Sequence, residues 1–404
     1  GVETSDAGRL TQTCGRSWSV LRRQLACNPS IRRPAWLDHP SSRTLPLICL
    51  IGGWTDANEA DKSFVETLAQ RPYADIEADL ADLAECNDPP IIRIDTVWKA
   101  KSPLELLALA APRLNEAIVE RFLTQAESIL FEHDPALDLD HDKRWASHLF
   151  EKRRAYSSLL SGSVADALVK LSVRSGSDPV LENLMLDRRI ANLVERTLKG
   201  ASSDRWLSVS PYLPDLAEAA PETFLKALEG SLRLSDRPVA ALFTETRGGG
   251  VTMVNYFWAL MHAFERIAWA PHRLTRVALV LAELSRIPYD GNFGSDAYAT
   301  LLQLFRAWLP QTNARLDQRM AALETLAKRS PDEAFRVAVD LLHRRDSASP
   351  AERPHWRDDD SGRADVTDDE YFGALRHAAD LMIRLAEGNA ERLGKCLNKL
   401  DLLG

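Results

Sequence analysis

The chain has 404 residues, a formal net charge of −8 and 45% hydrophobic residues. That length suggests two to four structural units, or a small domain followed by an extended array. The acidic balance predicts no attraction to nucleic acid or to an anionic membrane surface, and no apolar run approaches the roughly 20 residues a membrane span requires.

The sequence opens GVETSDAGRL, without an initiator Met, and enters what reads as the middle of a domain, so a fragment of something larger is expected. Candidate helices lie around Asp6–Thr13 and Ser17–Ala26, with Gly15 as a helix stop and Ser17 as the N-cap of the second. Trp18, Leu21 and Leu25 give that second helix an apolar stripe. Two short helices cannot build a core by themselves. Residues 1–45 therefore read as the end of a domain, closing in a loop rich in Pro, Arg and Ser.

The stretch Tyr73–Ser102 is the best-defined element. Ile76, Leu80 and Leu83 recur at helical spacing, and Pro89-Pro90 bars the helix from continuing. Ile91, Ile92 and Ile94 then supply strand residues, and Val97–Ala100 can pair back across Asp95-Thr96. With a preceding helix at Glu59–Ala69, the order is helix, helix, hairpin, which predicts a winged-helix domain over 46–102 as the only strand-bearing unit. Winged helices commonly read DNA, and a groove-binding helix needs Lys or Arg facing the phosphates. This one carries Asp75, Glu77, Asp79, Asp82 and Glu85 and no basic residue; only Arg93, Lys99 and Lys101 on the wing are positive. A protein-facing module is expected.

Ser102-Pro103-Leu104-Glu105 carries the signature of a capping box with Pro at N1. From there the chain reads as almost wholly helical, with helices near 103–111, 113–131, 142–160, 163–174, 181–198, 212–219, 221–232, 252–268, 272–286, 296–308, 314–328, 332–344, 368–386 and 389–400. Pro221, Pro271 and Pro331 each follow one helix and open another, at spacings of 50 and 60 residues. Ser330-Pro331-Asp332-Glu333 reads as a full capping box. That period is looser than the roughly 34 residues of tetratricopeptide repeats and nearer an irregular HEAT-type array. The fold class expected is mainly α: a small winged-helix domain followed by an irregular α-solenoid over 103–404. Residues 347–366 have the composition of a disordered loop. Ile287–Ser295 is a turn-rich loop in which Tyr289 and Phe293 cannot join the apolar stripes of its neighbours, which makes them candidates for partner binding.

Catalytic chemistry finds little support. Asp138, Asp140 and Asp142 match the first ligand positions of an EF-hand, but Lys143 stands at the obligatory Gly and Leu149 at the bidentate Glu. Gly248-Gly249-Gly250 lacks the Lys-Ser/Thr pair of a phosphate loop. The cysteines Cys14, Cys27, Cys49, Cys86 and Cys396 show no CxxC spacing, so neither zinc nor a disulfide framework is indicated, and a reducing cytoplasm fits. Trp206, Trp258, Trp269 and Trp308 lie near helix ends, where packing between repeats is the simplest role.

The segment TCGRSWSVLRRQL followed by the winged helix resembles STAND-type P-loop ATPases, signalling relatives of AAA+ proteins. Similar to large bacterial proteins of this kind are also IGGWTDANEADKSFVETLAQRPY, DPPIIRIDTVWKAKSP, GNFGS and WLPQTNARLDQRMAALETLAKRSPDEAF. The resemblance covers nearly all of the chain, and its motifs are structural. It implies that residues 1–45 are the remnant of an ATPase lid. Gly15, Arg16 and Ser17 would then lie near nucleotide, in the motif that reads Gly-x-Pro in the family, with Ser17 in place of the Pro. It further implies an upstream domain holding ATP or ADP with Mg, a protein trigger as partner, oligomerisation on activation and a role in antiphage defence. This chain itself would carry no cofactor, no metal and no catalytic group. The rival expectations are a DNA-binding winged-helix regulator with a helical effector domain and an all-α enzyme.

Overall fold

The computed structural model describes residues 14, 17–176, 178–247, 254–288, 296–342, 352–357 and 365–400. The fold is mainly α, and the chain divides into two compact units, Gly1–Ala227 and Leu228–Gly404.

In the first unit, α1 (Trp18–Leu25) and the single turn α2 (Pro29–Arg32) lead through 3-10 turns at Ala35–Leu37 and Pro40–Thr44 into α3 (Leu45–Ile51). Gly52 ends α3 at φ 77, a backbone conformation that favours glycine, and β1 (Gly53–Thr55) follows. Next come α4 (Glu59–Ala69), α5 (Tyr73–Ala84), β2 (Ile91–Ile94) and β3 (Val97–Ala100). The three strands form one antiparallel sheet in the order β1-β3-β2, with Ile94 opposite Val97 across the Asp95-Thr96 turn and Trp54 opposite Trp98. The hairpin thus follows its predicted register. β1 was not foreseen, because the apolar run Leu45–Trp54 holds a helix, a glycine turn and a strand with no periodicity of its own.

The helices that follow are α6 (Pro103–Ala110), α7 (Glu116–Leu130), α8 (Ser158–Ser175), α9 (Pro179–Asn183), α10 (Leu186–Leu198), α11 (Ser203–Val209), α12 (Leu213–Ala219) and α13 (Pro221–Arg233), in which the division between units falls. The centre of this unit is α8. Val164, Ala165, Leu168, Val169 and Leu171 are all buried, and the helix packs on α3 and β1 as well as on α10 and α12. Its approach to the sheet depends on Gly53, where a Cβ would lie 3.2 Å from the Ser163 hydroxyl and 3.5 Å from Leu159. The fully buried Asp61 of α4 fastens the same junction: it accepts from the amides of Thr55 at 3.1 Å and Ser157 at 2.9 Å. Sheet and first helices share one core.

Several predicted helices take another form. Residues 141–150 are a 3-10 run that ends at Glu151 with φ 55, and α8 starts only at Ser158, so the continuous helix expected over 142–160 does not exist. The helix expected over 181–198 breaks at Met185, which has φ 48. The stripe Trp18/Leu21/Leu25 does not face the core: Trp18 is 75% and Leu25 57% exposed, while Val20 and Arg23 are buried.

The second unit contains a single turn α14 (Ala241–Thr244), then α15 (Phe257–Ala268), α16 (Leu274–Leu284), α17 (Ala297–Phe305), α18 (Leu316–Arg329), α19 (Pro331–Leu341), α20 (Asp368–Ala386) and α21 (Ala390–Leu400). Each helix from α15 to α19 packs on the next and on the next but one. A two-residue ladder, β4 (Thr246–Arg247) with β5 (Val254–Asn255), corrects the expectation of one strand-bearing unit. The triple glycine lies between these strands, outside the described residues. Of the expected loop 347–366, Glu352–Arg357 are described and held against α15: Arg266 donates to Glu352 at 3.0 Å, and Arg353 lies 4.4 Å from the Trp269 ring.

Candidate functional site at the docking face of the first helix

Ser17 has the extended backbone of an N-cap, and its Oγ accepts from the Val20 amide at 3.4 Å. A chain of hydroxyls runs on from it: Ser17 to Ser19 at 3.0 Å, and Ser19 to Ser102 at 2.6 Å. Ser102 stands where β3 gives way to α6. The N-terminus of α1 is therefore tied to the start of α6, and Ser102 makes no side-chain cap bond of its own.

One turn further, Arg23 points inward and is 5% exposed. It donates to the Glu105 carboxylate, to Asp88 at 2.9 Å and to the Ile31 carbonyl at 2.7 Å. Its guanidinium carbon lies 6.0 Å from the centre of the Trp36 ring, and Trp36 Nε1 donates to the Asp88 carbonyl at 3.0 Å. Arg22 and Lys101 also reach Asp88, at 2.7 and 3.0 Å. Burial would raise the Asp88 carboxyl, but hydrogen bonds from Lys101 and Arg22 and the charge of Arg23 hold it below its ordinary value. Asp88, which receives all three cations, has φ 56. A buried arginine is tolerated only when such partners surround it, and removing one partner strands the others.

Beside this network lies a cavity of about 390 Å³, lined by Val20, Arg23, Gln24, Arg32, Glu105, Ala108 and Leu109. Among its described lining residues Arg23 pairs with Glu105, and Arg32 adds a second cation. The network fastens α1 onto α6.

Of the residues predicted near nucleotide, Ser17 is engaged in the hydroxyl chain, and Gly15 and Arg16 lie outside the described residues. Tyr289 and Phe293 also lie outside them. The described flanks of their loop border a cavity of about 280 Å³ with Tyr298 and Arg336 in its wall. Tyr298 donates to Asp340 at 2.5 Å, and the Arg336 guanidinium sits 3.5 Å from the centre of its ring. Burial and the hydrogen bond to Asp340 push the Tyr298 hydroxyl well up from its ordinary value, so it stays neutral.

Sequence reasoning missed Arg23, Asp88 and Glu105. No local signal separates Arg23 from its neighbour Arg22, since residues about 100° apart on a helix can both reach solvent. Among the described residues no group of three or more His, Cys, Asp or Glu is placed to hold a metal. Asp138 pairs instead with His133 and Lys152, and Asp140 with Lys143. Among the described residues no helix is long and apolar enough to cross a membrane. Compared with models of protein families, with curated proteins and with solved structures, the chain finds no match.

Proposed function

We propose that this chain is the regulatory and sensing segment of a STAND-type P-loop ATPase. In this reading residues 46–102 are a winged helix, 103–404 an irregular α-solenoid that binds a protein trigger, and the nucleotide domain lies upstream in the same polypeptide. The observation that carries the reading is the order α3-β1-α4-α5-β2-β3 with its antiparallel β1-β3-β2 sheet, preceded in the chain by a helix clamped by Arg23. The outward residues of α5 are Ala74, Asp75, Ala78, Ala81 and Asp82, with Glu85 at its C-cap, a surface without a cation and unsuited to a DNA groove. The apolar outer side of α1, with Trp18 and Leu25 exposed, is where the upstream domain would dock.

The proposed mechanism is a clamp. Docked on α6 through Arg23, α1 holds the nucleotide domain closed. A trigger bound to the helical array favours the open state by its difference in affinity for the two states. The test is to extend the reading frame upstream and purify both forms. The extended protein is expected to contain a strand followed by GxxxxGK[ST] and to hydrolyse ATP, with Arg23→Ala raising the trigger-independent rate. The present chain should show no turnover. An upstream frame without that motif, or steady turnover by this chain abolished by a point change within it, overturns the proposal.

A further inference from the structure

Where Pro40–Thr44, the end of α4 and the start of α7 meet, the first unit encloses a second cavity of about 320 Å³. Four arginines line it: Arg43, Arg71, Arg113 and Arg121. Asp79 is the one carboxylate within ion-pair distance of any of them among the described residues. It takes Arg43 at 2.9 and 3.0 Å and Arg71 at 2.7 Å. Among the described residues Arg113 donates to the Leu37 carbonyl alone, and Arg121 to the Leu68 carbonyl alone, at 3.2 Å. Asp38 is near enough to feel the charge of Arg113, but its carboxylate is held by Arg33 at 2.7 and 2.9 Å. Four positive charges thus face one cavity against a single contacting carboxylate.

Such a concentration is unexpected in a chain whose net charge is −8, where carboxylates are plentiful. Like charges around one concavity repel, and the repulsion is relieved by an anion between them. A guanidinium carries five N–H donors in a planar fork that matches phosphate oxygens, so one anchoring bond leaves most of the fork free. Arg71 is anchored on Asp79 and Thr44, and Arg113 and Arg121 each on a backbone carbonyl, so less side-chain entropy is lost when a ligand arrives. The 15-residue helix α7, with Asn115 as its N-cap, directs its positive end to the same rim.

We propose that this cavity binds the phosphate groups of a small phosphorylated anion, with Arg113 and Arg121 as its principal contacts and Arg71 as a third. Three uncompensated charges and a cavity of this volume suit two linked phosphoryl groups better than one. The proposal does not depend on the ATPase reading, which uses none of these residues.

The test is calorimetric titration of the intact chain with inorganic pyrophosphate, then with orthophosphate and with sulfate, at constant ionic strength. Saturable one-to-one binding of pyrophosphate is expected, tighter than orthophosphate or sulfate and weakened by added salt. Arg113→Gln with Arg121→Gln should weaken it at least about tenfold, and the Lys pair should retain part of it. Should the double variant fail to fold, Arg113→Gln alone decides, since Arg113 is exposed and carries one hydrogen bond. Absence of saturable binding by the unaltered chain overturns the proposal. So does equal affinity for pyrophosphate and sulfate, or affinity unchanged by Arg113→Gln.

Discussion

Asp79 lies on a helix whose acidic residues look equivalent in sequence, yet its position in space separates it from the rest. Asp75, Asp82 and Glu85 reach solvent, whereas the Asp79 side chain is 8% exposed and bound by Arg43, Arg71 and Thr44. Burial would raise its carboxyl, but the hydrogen bonds from Arg43, Arg71 and Thr44 outweigh it and bring the carboxyl down to about 2. A folded value below the unfolded one contributes stability above the unfolded pKa, and that stability is lost as pH falls through the folded pKa. Asp79→Asn is therefore expected to cost about 2 kcal/mol at pH 7, or about 4–8 °C in melting temperature. The gap between variant and parent should close as pH falls from about 4 to about 2. Melts across that range check it; a pH-independent gap would mean that the ion pairs are not its source. Sequence could not supply this, because Arg43 lies 36 positions from Asp79 and nothing local marks the pairing.

At the scale of elements, the capping signals located helix starts but misassigned the side chains. Ser102 with Glu105, Ser330 with Glu333 and Thr367 with Glu370 all have capping-box spacing. In the fold, Glu105 binds Arg23, Glu333 binds Arg286 at 2.7 Å, and Glu370 binds Arg319 at 2.7 Å; of the three N-cap side chains only Thr367 makes its bond. A carboxylate gains a charge-assisted bond from either partner, but the arginine adds a full opposite charge and a forked set of donors, so the carboxylate goes to the arginine. The segment Glu352–Arg357 is held by a similar network on α15. His262 Nδ1 lies 3.4 Å from Glu265 and 3.5 Å from Glu352, and the Glu352 amide donates to Glu265 at 3.0 Å. The neighbouring Glu265 carboxylate raises the His262 pKa, burial lowers it, and the charge of Glu352 raises it further, with a net upward shift. A raised histidine contributes stability that is full below the ordinary value of about 6.5 and is lost as pH rises through the folded value. Hydrogen exchange at the Glu352 amide, corrected for its intrinsic rate, should therefore lose protection as pH rises above about 6.5. His262→Gln should remove that dependence while Arg266 keeps the segment attached. Protection that is flat with pH in the parent chain would count against the histidine's role.

For the whole molecule, the charge pattern gives the broadest expectation. Only Ala and acidic residues form the outer surface of α5, and Arg93 on β2 is taken up by Asp56 and Glu77. An anisotropy titration at about 100 mM salt should show no duplex binding tighter than the roughly 10⁻⁴–10⁻⁶ M of non-specific complexes. Sub-micromolar, salt-sensitive binding would favour the DNA-regulator reading instead. Mainly helical structure, the β2–β3 hairpin with its turn, the helix α4 and the apolar face of α5 were legible in the sequence. Each rests on spacing within some twenty residues, where backbone sterics and side-chain periodicity act alone. Only the tertiary structure decided that β1 joins the sheet, and that α1 turns Arg23 inward and its apolar stripe outward. It alone placed the sheet and α8 in one core and gathered four arginines at one cavity. These outcomes depend on partners tens of residues away, among them Arg23 with Glu105 and Asp61 with Ser157. A buried charge is stable only with its counter-charge, and chain order does not say which of 58 acidic residues will arrive.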